Sequence, residues 1–135
     1  RSAALARLGR LFARADAWDP RAAEDDGAPE DDGTAAVHPE VFRAVWPEAA
    51  ARRASGELRR DLARLACPVV AFHGTHDPHP IAAIAELGAE IRAGLRLHRL
   101  DRCGHRPWSE PAVREPFFAS LEAEVARLLG EADAA

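Results

Sequence analysis

The sequence predicts an α/β fold in which a helical segment leads into a parallel strand–helix–strand–helix unit, and three observations support it. Leucines and aromatic residues recur every three to four positions in the first half, as on helices with one apolar stripe. The run Val69-Val70-Ala71-Phe72 follows Cys67-Pro68, is rich in β-branched residues and closes on Gly74, the pattern of a buried parallel strand. After it come a helical stretch, an alternating stretch and a final amphipathic stretch, the order of an α/β crossover unit.

The elements follow in turn. Leu5, Leu8, Leu11 and Phe12 form the first stripe, which Asp19-Pro20 ends. From Ala22 to Phe42 there are seven acids and no Arg, and the part from Glu24 to Gly33 has almost no apolar side chains. Such a stretch cannot bury enough surface to offset its ordering entropy, so a mobile acidic loop is expected at about 22–37. Val41, Phe42, Val45, Trp46 and Ala49 make a second stripe, with Pro47 expected to kink it or start a new turn. Gly56 breaks the pattern, and a short helix is expected from Glu57 to about Leu65. After the strand at Val69, a helix is expected from about Ile81 to Ala93. Leu95 to Leu100 alternates Leu95 and Leu97 against Arg96 and His98, as a strand with one wet face does. The last helix carries Phe118, Leu121, Val125 and Leu128, and Pro116 marks its start, where a missing N–H costs nothing. Residues 1–65 thus read as a helical segment and 66–135 as the α/β portion.

Composition narrows the function. The chain has 135 residues and a net charge of -4, which argues against a nucleic-acid or anionic-membrane binder, because those need a dense basic face. No apolar run approaches the roughly 20 residues that span a bilayer. All 18 cations are Arg, and Lys, Met, Tyr, Asn and Gln are absent, a bias that fits a GC-rich bacterial genome. Two cysteines, Cys67 and Cys103, do not make a disulfide framework, so reduced thiols in a cytoplasmic protein are expected. Arg1 is too bulky for an initiator Met to be trimmed before it, so the chain is expected to be the back part of a longer one. Two parallel strands leave unpaired edges, so either further strands come from a preceding part of the same precursor or from another chain, or the polypeptide is not stable alone; a homo-oligomer is a further partner expected.

Reactive side chains gather just beyond the two strands: His73-Gly74-Thr75-His76-Asp77-Pro78-His79 after the first, and Cys103-Gly104-His105 after the second. Functional groups of open α/β sheets collect at the carboxyl ends of strands. Asp77 and His105, 28 positions apart, emerge from one sheet edge on neighbouring strands. An imidazole acting as a base needs its Nδ1–H held by a carboxylate, which fixes the tautomer and stabilises the imidazolium. The run from Pro68 to Pro78 and the run Cys103-Gly104-His105-Arg106-Pro107-Trp108-Ser109-Glu110-Pro111 resemble the acid-bearing and histidine-bearing loops of the α/β-hydrolase family. The resemblance covers Ala66 to about Leu129, and residues 1–65 resemble the family's helical cap. It implies the C-terminal part of an α/β-hydrolase sheet, with Asp77 as triad acid and His105 as general base. The implied activity is hydrolysis of small-molecule esters or related acyl bonds, with no cofactor.

The family's nucleophile elbow, Gly-x-Ser-x-Gly, is absent, as is an oxyanion-hole segment. None of the four serines, Ser2, Ser55, Ser109 and Ser120, lies between glycines at a strand-to-helix turn. The chain is therefore expected to supply an acid and a base, with the N-terminal half of the fold as partner and source of the nucleophile. Cys103 reads as a small buried hydrophobe, and Glu110 as a residue capping or solvating a helix start. Trp108, Trp46 and His76 are candidates for the walls of a substrate pocket, and Trp18, with Trp46, for the lining of a cap-side pocket, plain core packing being the alternative for the three tryptophans. Gly74 and Gly104 are expected to let the chain turn tightly. Two alternatives stay open: a zinc-dependent hydrolase using His73, His76, Asp77 and His79, and a non-catalytic α/β fragment.

Overall fold

The computed structural model describes residues 2–21 and 39–132. The acidic stretch at about 22–37 lies outside the described residues. Within them the order is α1 (Ser2–Ala15), α2 (Pro39–Ala54), α3 (Glu57–Ala63), β1 (Val69–Gly74), α4 (Ile81–Gly88), β2 (Leu95–Leu100), a 3-10 turn at Pro107–Ser109, and α5 (Arg114–Ala132). The chain is mixed α/β, and no described helix is long and apolar enough to cross a membrane.

β1 and β2 pair in parallel, in register from Val69 opposite Leu95 to Gly74 opposite Leu100. Facing residues point to the same side of a sheet, so Phe72, His98 and Leu100 share one face. On that face Phe72 stacks on His98 and meets Phe117 of α5 edge-on, with ring centroids 5.2 Å apart in the second pair. Cys103, Val113 and Phe117 are buried there, with Phe72, Leu100 and Leu121 packed around them. Leu95 points to the opposite face, against α4, where a Cβ on Gly88 would come within 2.4 Å of the Leu95 side chain.

Four expectations need correction. α4 ends at Gly88, not Ala93, because the chain must turn within six residues to bring Leu95 alongside Val69; Ile91 is buried in that turn and Gly94 adopts φ 82°. The Arg96 and His98 side of β2 is only partly wet: Arg96 is exposed, while α5 lies against His98. Glu124 of α5, 6% exposed, accepts from His98 Nε2–H at 2.7 Å and Arg127 Nε–H at 2.8 Å, and Arg96 stands 3.5 Å away. The Arg127 hydrogen bond, against the opposing effect of burial and with help from His98, holds the Glu124 carboxyl below its ordinary range. β1 is buried only at His73 and Gly74, its first four residues being half-covered. α5 begins at Arg114, two residues before Pro116; a proline in the first turn still removes only an N–H that has no partner within the helix.

α2 contains Pro47 within its span. It joins α3 through Arg52, whose Nη2 donates to Asp61 at 2.7 Å. Arg59 of α3 pairs with Glu90 after α4, which ties the helical segment to the α/β portion. The apolar residues expected to form stripes on α1 and α2 are uncovered: Leu8, Leu11, Phe12, Val41, Phe42, Val45 and Trp46 are all exposed.

Candidate acid–base site

The two loops beyond the strands are joined by backbone hydrogen bonds before any side chain is considered. Thr75 N–H donates to Leu100 O at 2.9 Å, extending the ladder by a residue, and His76 N–H donates to Cys103 O at 2.8 Å. A tight turn follows, with Asp77 N–H on Gly74 O at 3.2 Å. Gly74 is required for closeness, not for turning: its φ is not positive, but a Cβ there would lie 2.2 Å from the carbonyl oxygens of Cys103 and Gly104. Gly104 is similar, since a Cβ would stand 2.0 Å from Asp16 O. The expected role of both glycines is corrected accordingly.

These constraints bring Asp77 and His105 together, with Nδ1 of His105 2.8 Å from Asp77 Oδ2. The other carboxylate oxygen accepts the backbone N–H of His79 at 2.9 Å and its ring Nδ1–H at 2.8 Å. An aspartate accepting from the N–H two residues on is an Asx turn, and Pro78 between them restricts the backbone to suit it. The Asp77 side chain is 7% exposed. Burial pushes its pKa up, but the His79 N–H, the His105 and His79 rings and the charge of His105 outweigh it and lower the value from 3.8 to about 2.

A carboxylate ionised at neutral pH only accepts, so the proton of each hydrogen bond sits on Nδ1 of the imidazole. His105 therefore keeps an Nε2 lone pair in its neutral form, on a side chain that is 49% exposed. The depressed Asp77 value also fixes a pH dependence. The folded state holds the proton less tightly than the unfolded chain, so the associated stability is complete above about pH 5 and is lost as pH falls from about 4 to about 2. Acid titration of the melting temperature is expected to show a loss on the order of 2 kcal/mol in that window, and Asp77→Asn is expected to remove it.

His73 lies under the pair. It is buried, its Nδ1–H donates to Gly74 O at 2.8 Å, and its Nε2 has no hydrogen-bond partner, 4.0 Å from Asp77 Oδ2. Cys103 is fully buried, and burial, followed by the negative charges of Glu110 and Asp77, raises its thiol pKa to about 11. It is no nucleophile. Iodoacetamide at pH 8 is expected to alkylate one cysteine per native chain, the exposed Cys67, and two per denatured chain, as counted by intact mass.

Glu110 is the residue whose place sequence reasoning missed. It is 3% exposed. Its Oε1 accepts Trp18 N–H at 2.7 Å and Gly104 N–H at 3.1 Å, and its Oε2 accepts Asp19 N–H at 3.3 Å. With His105 N–H donating to Asp16 O at 2.8 Å, this carboxylate fastens the segment after α1 to the histidine loop. Nothing in the sequence signals a contact 91 or 92 residues distant. The second Asp77 partner, His79, was read only as a ligand in the zinc alternative; the Asp-Pro-His order is the signal that could have found the contact.

The pocket candidates separate. His76 turns to Trp18, edge to face at 5.4 Å, beside the pair. Trp108 is half-exposed and faces Phe117 at 6.4 Å. Trp46 pairs with Phe42 on α2 at 5.4 Å. Ser109 turns its hydroxyl to Arg106 O at 2.9 Å. Of the four residues in the zinc alternative, His76 is directed at Trp18; the ligand-capable group gathered within 4.8 Å is Asp77, His79 and His105. No family model matches the chain, and neither the curated proteins nor the solved structures give a match.

Proposed function

We propose that the chain is the acid-and-base half of a serine-type hydrolase of the α/β-hydrolase fold, acting on small esters or related acyl bonds. The observation that carries this reading is the Asp77–His105 hydrogen bond of 2.8 Å at the carboxyl ends of adjacent parallel strands. Nε2 of His105 takes the proton of an incoming hydroxyl as its oxygen bonds to the substrate carbonyl carbon. The same proton then goes to the leaving alkoxide as the acyl–oxygen bond breaks, and water repeats the sequence to release the acid. Ionised Asp77 holds the ring in the required tautomer and stabilises the imidazolium.

The hydroxyl comes from the N-terminal half of the fold, carried by the same precursor or a second chain. The two-stranded sheet and the uncovered apolar residues of α1, α2 and α5 support such a partner, since Phe118, Val125 and Leu129 are exposed along one side of α5. The reading includes a cytoplasmic location, in keeping with two unpaired thiols.

Asp77→Asn tests the proposal. In protein that includes the nucleophile-bearing half, this variant is expected to keep the fold and lose at least about 100-fold in kcat on an activated ester, because an amide no longer fixes the His105 tautomer. An unchanged rate refutes the assignment.

A further inference from the structure

His79 neither gives nor takes a proton in the transfer just described, yet its ring sits on the same carboxylate as His105. We propose that Asp77, His79 and His105 bind one divalent transition-metal ion of the zinc type, and that the bound ion takes His105 out of service as a base. The binding stands independently of the hydrolase reading; only the inhibitory consequence rests on it.

Three donors, two imidazole nitrogens and one carboxylate oxygen, lie within 4.8 Å of one another. Zinc at about 2.0–2.2 Å from each donor of a tetrahedron sets the donors about 3.4 Å apart. The His79 Nδ1 stands 2.8 Å from Asp77 Oδ1 and the His105 Nδ1 2.8 Å from Asp77 Oδ2, so whichever oxygen ligates, one ring starts beside it and the other must turn from the second oxygen toward the ion. The rings are free to do so: the His79 side chain is 66% exposed and that of His105 half-exposed, while Asp77 is buried. One ligand is fixed and two adjust. The His79 N–H stays on Asp77 Oδ1 and orients the carboxylate, as outer-shell donors do in metal sites. Exposed rings leave the fourth position to water. Two imidazoles with a single carboxylate select zinc, copper or nickel over magnesium or calcium, which want mainly oxygen.

The consequence for His105 follows from its tautomer. Nδ1 carries a proton while it donates to Asp77, and a metal needs the lone pair at that atom. Each neutral ring therefore moves its proton from Nδ1 to Nε2, with no net release. Nε2 of His105 becomes an N–H and cannot accept the proton of a hydroxyl.

Calorimetric titration of ZnCl2 into the full chain at pH 7.5 decides the binding, with Cys67→Ser removing the exposed thiol as a competing ligand. One zinc per chain is expected, no heat from MgCl2, and at least about 10-fold weaker zinc binding in His79→Ala, whose fold is checked by circular dichroism. Absence of saturable zinc binding, equal binding of magnesium, or unchanged affinity in His79→Ala overturns the site. In protein that includes the nucleophile-bearing half, zinc is expected to suppress ester hydrolysis and a chelator to restore it. His79→Ala should raise the inhibitory zinc concentration by the factor seen in calorimetry. Zinc that binds and leaves turnover intact overturns the inhibitory role. Absence of ester hydrolysis before zinc is added counts against the hydrolase reading alone, and calorimetry still decides the site.

Discussion

In protein that includes the nucleophile-bearing half, replacing His105 by alanine is expected, on the proposed hydrolase reading, to lower kcat for an activated ester by about three orders of magnitude, within the range that general bases contribute. The size of the effect comes from the coupling of two features. Asp77 is ionised and fixed, with its Oδ1 occupied by His79 and its Oδ2 by His105, and a base oriented in this way needs no reorganisation at the moment of proton transfer. Removing the ring deletes the acceptor and leaves the hydroxyl to ionise unaided. KM should change little, because the ring acts on the hydroxyl proton and contributes little to holding the ground-state ester. The fold should persist, since the lost side chain is half-exposed and Asp77 keeps the two His79 donors. Steady-state kinetics with a melting curve separates these effects: kcat falls and the melting temperature moves by a few degrees. Wild-type kcat in this variant removes His105 from the chemistry.

Glu110→Ala is expected to be the most destabilising of the substitutions considered, at roughly 3–5 kcal/mol. Three backbone N–H groups lose a charged acceptor at once. Hydrogen bonds to charged groups contribute about 1.5–3 kcal/mol each, and a buried donor left without a partner costs about 1–3 kcal/mol. Water reaches the exposed Trp18 and Asp19 ends of the bracket more easily than buried Gly104, which keeps the sum below three full bonds. A fall in melting temperature of roughly 10 °C or more follows. Glu110→Gln, which retains one acceptor oxygen, should fall between the wild type and alanine. Equal melting temperatures in all three proteins would show that the segment after α1 is held by other contacts.

The helices and both strands were legible from local pattern, apolar residues at three-to-four spacing in α1, α2 and α5 and a β-branched run at Val69, although Phe118 and Val125 of the expected α5 stripe are exposed and α5 packs through Phe117, Leu121 and Glu124. The meeting of Asp77 and His105 was legible for a topological reason, since parallel strands deliver their following loops to one edge. What failed depended on partners far along the chain. Ala89 to Ala93 suits a helix, and only the need to return beside β1 stops α4 at Gly88. His98 looks like part of a solvated face until Glu124 arrives from α5, while Arg96 stays exposed. Glu110, an acid ahead of a helix, carries no mark of the three amides it holds. In each case a charged or small residue was read by its own preference, and tertiary contact decided its place.

The close approach at Gly104 limits how this protein can vary in length. Asp16 O occupies the space a side chain at position 104 would need, and the same carbonyl accepts from His105 N–H. Inserting or deleting one residue between the end of α1 and Trp18 would shift that carbonyl out of step with the loop it supports. The spacing from Ala15 to Trp18 is thus as much a requirement for aiming the imidazole as any residue in its own loop, and indels there should be tolerated far less than at the opposite end of α5.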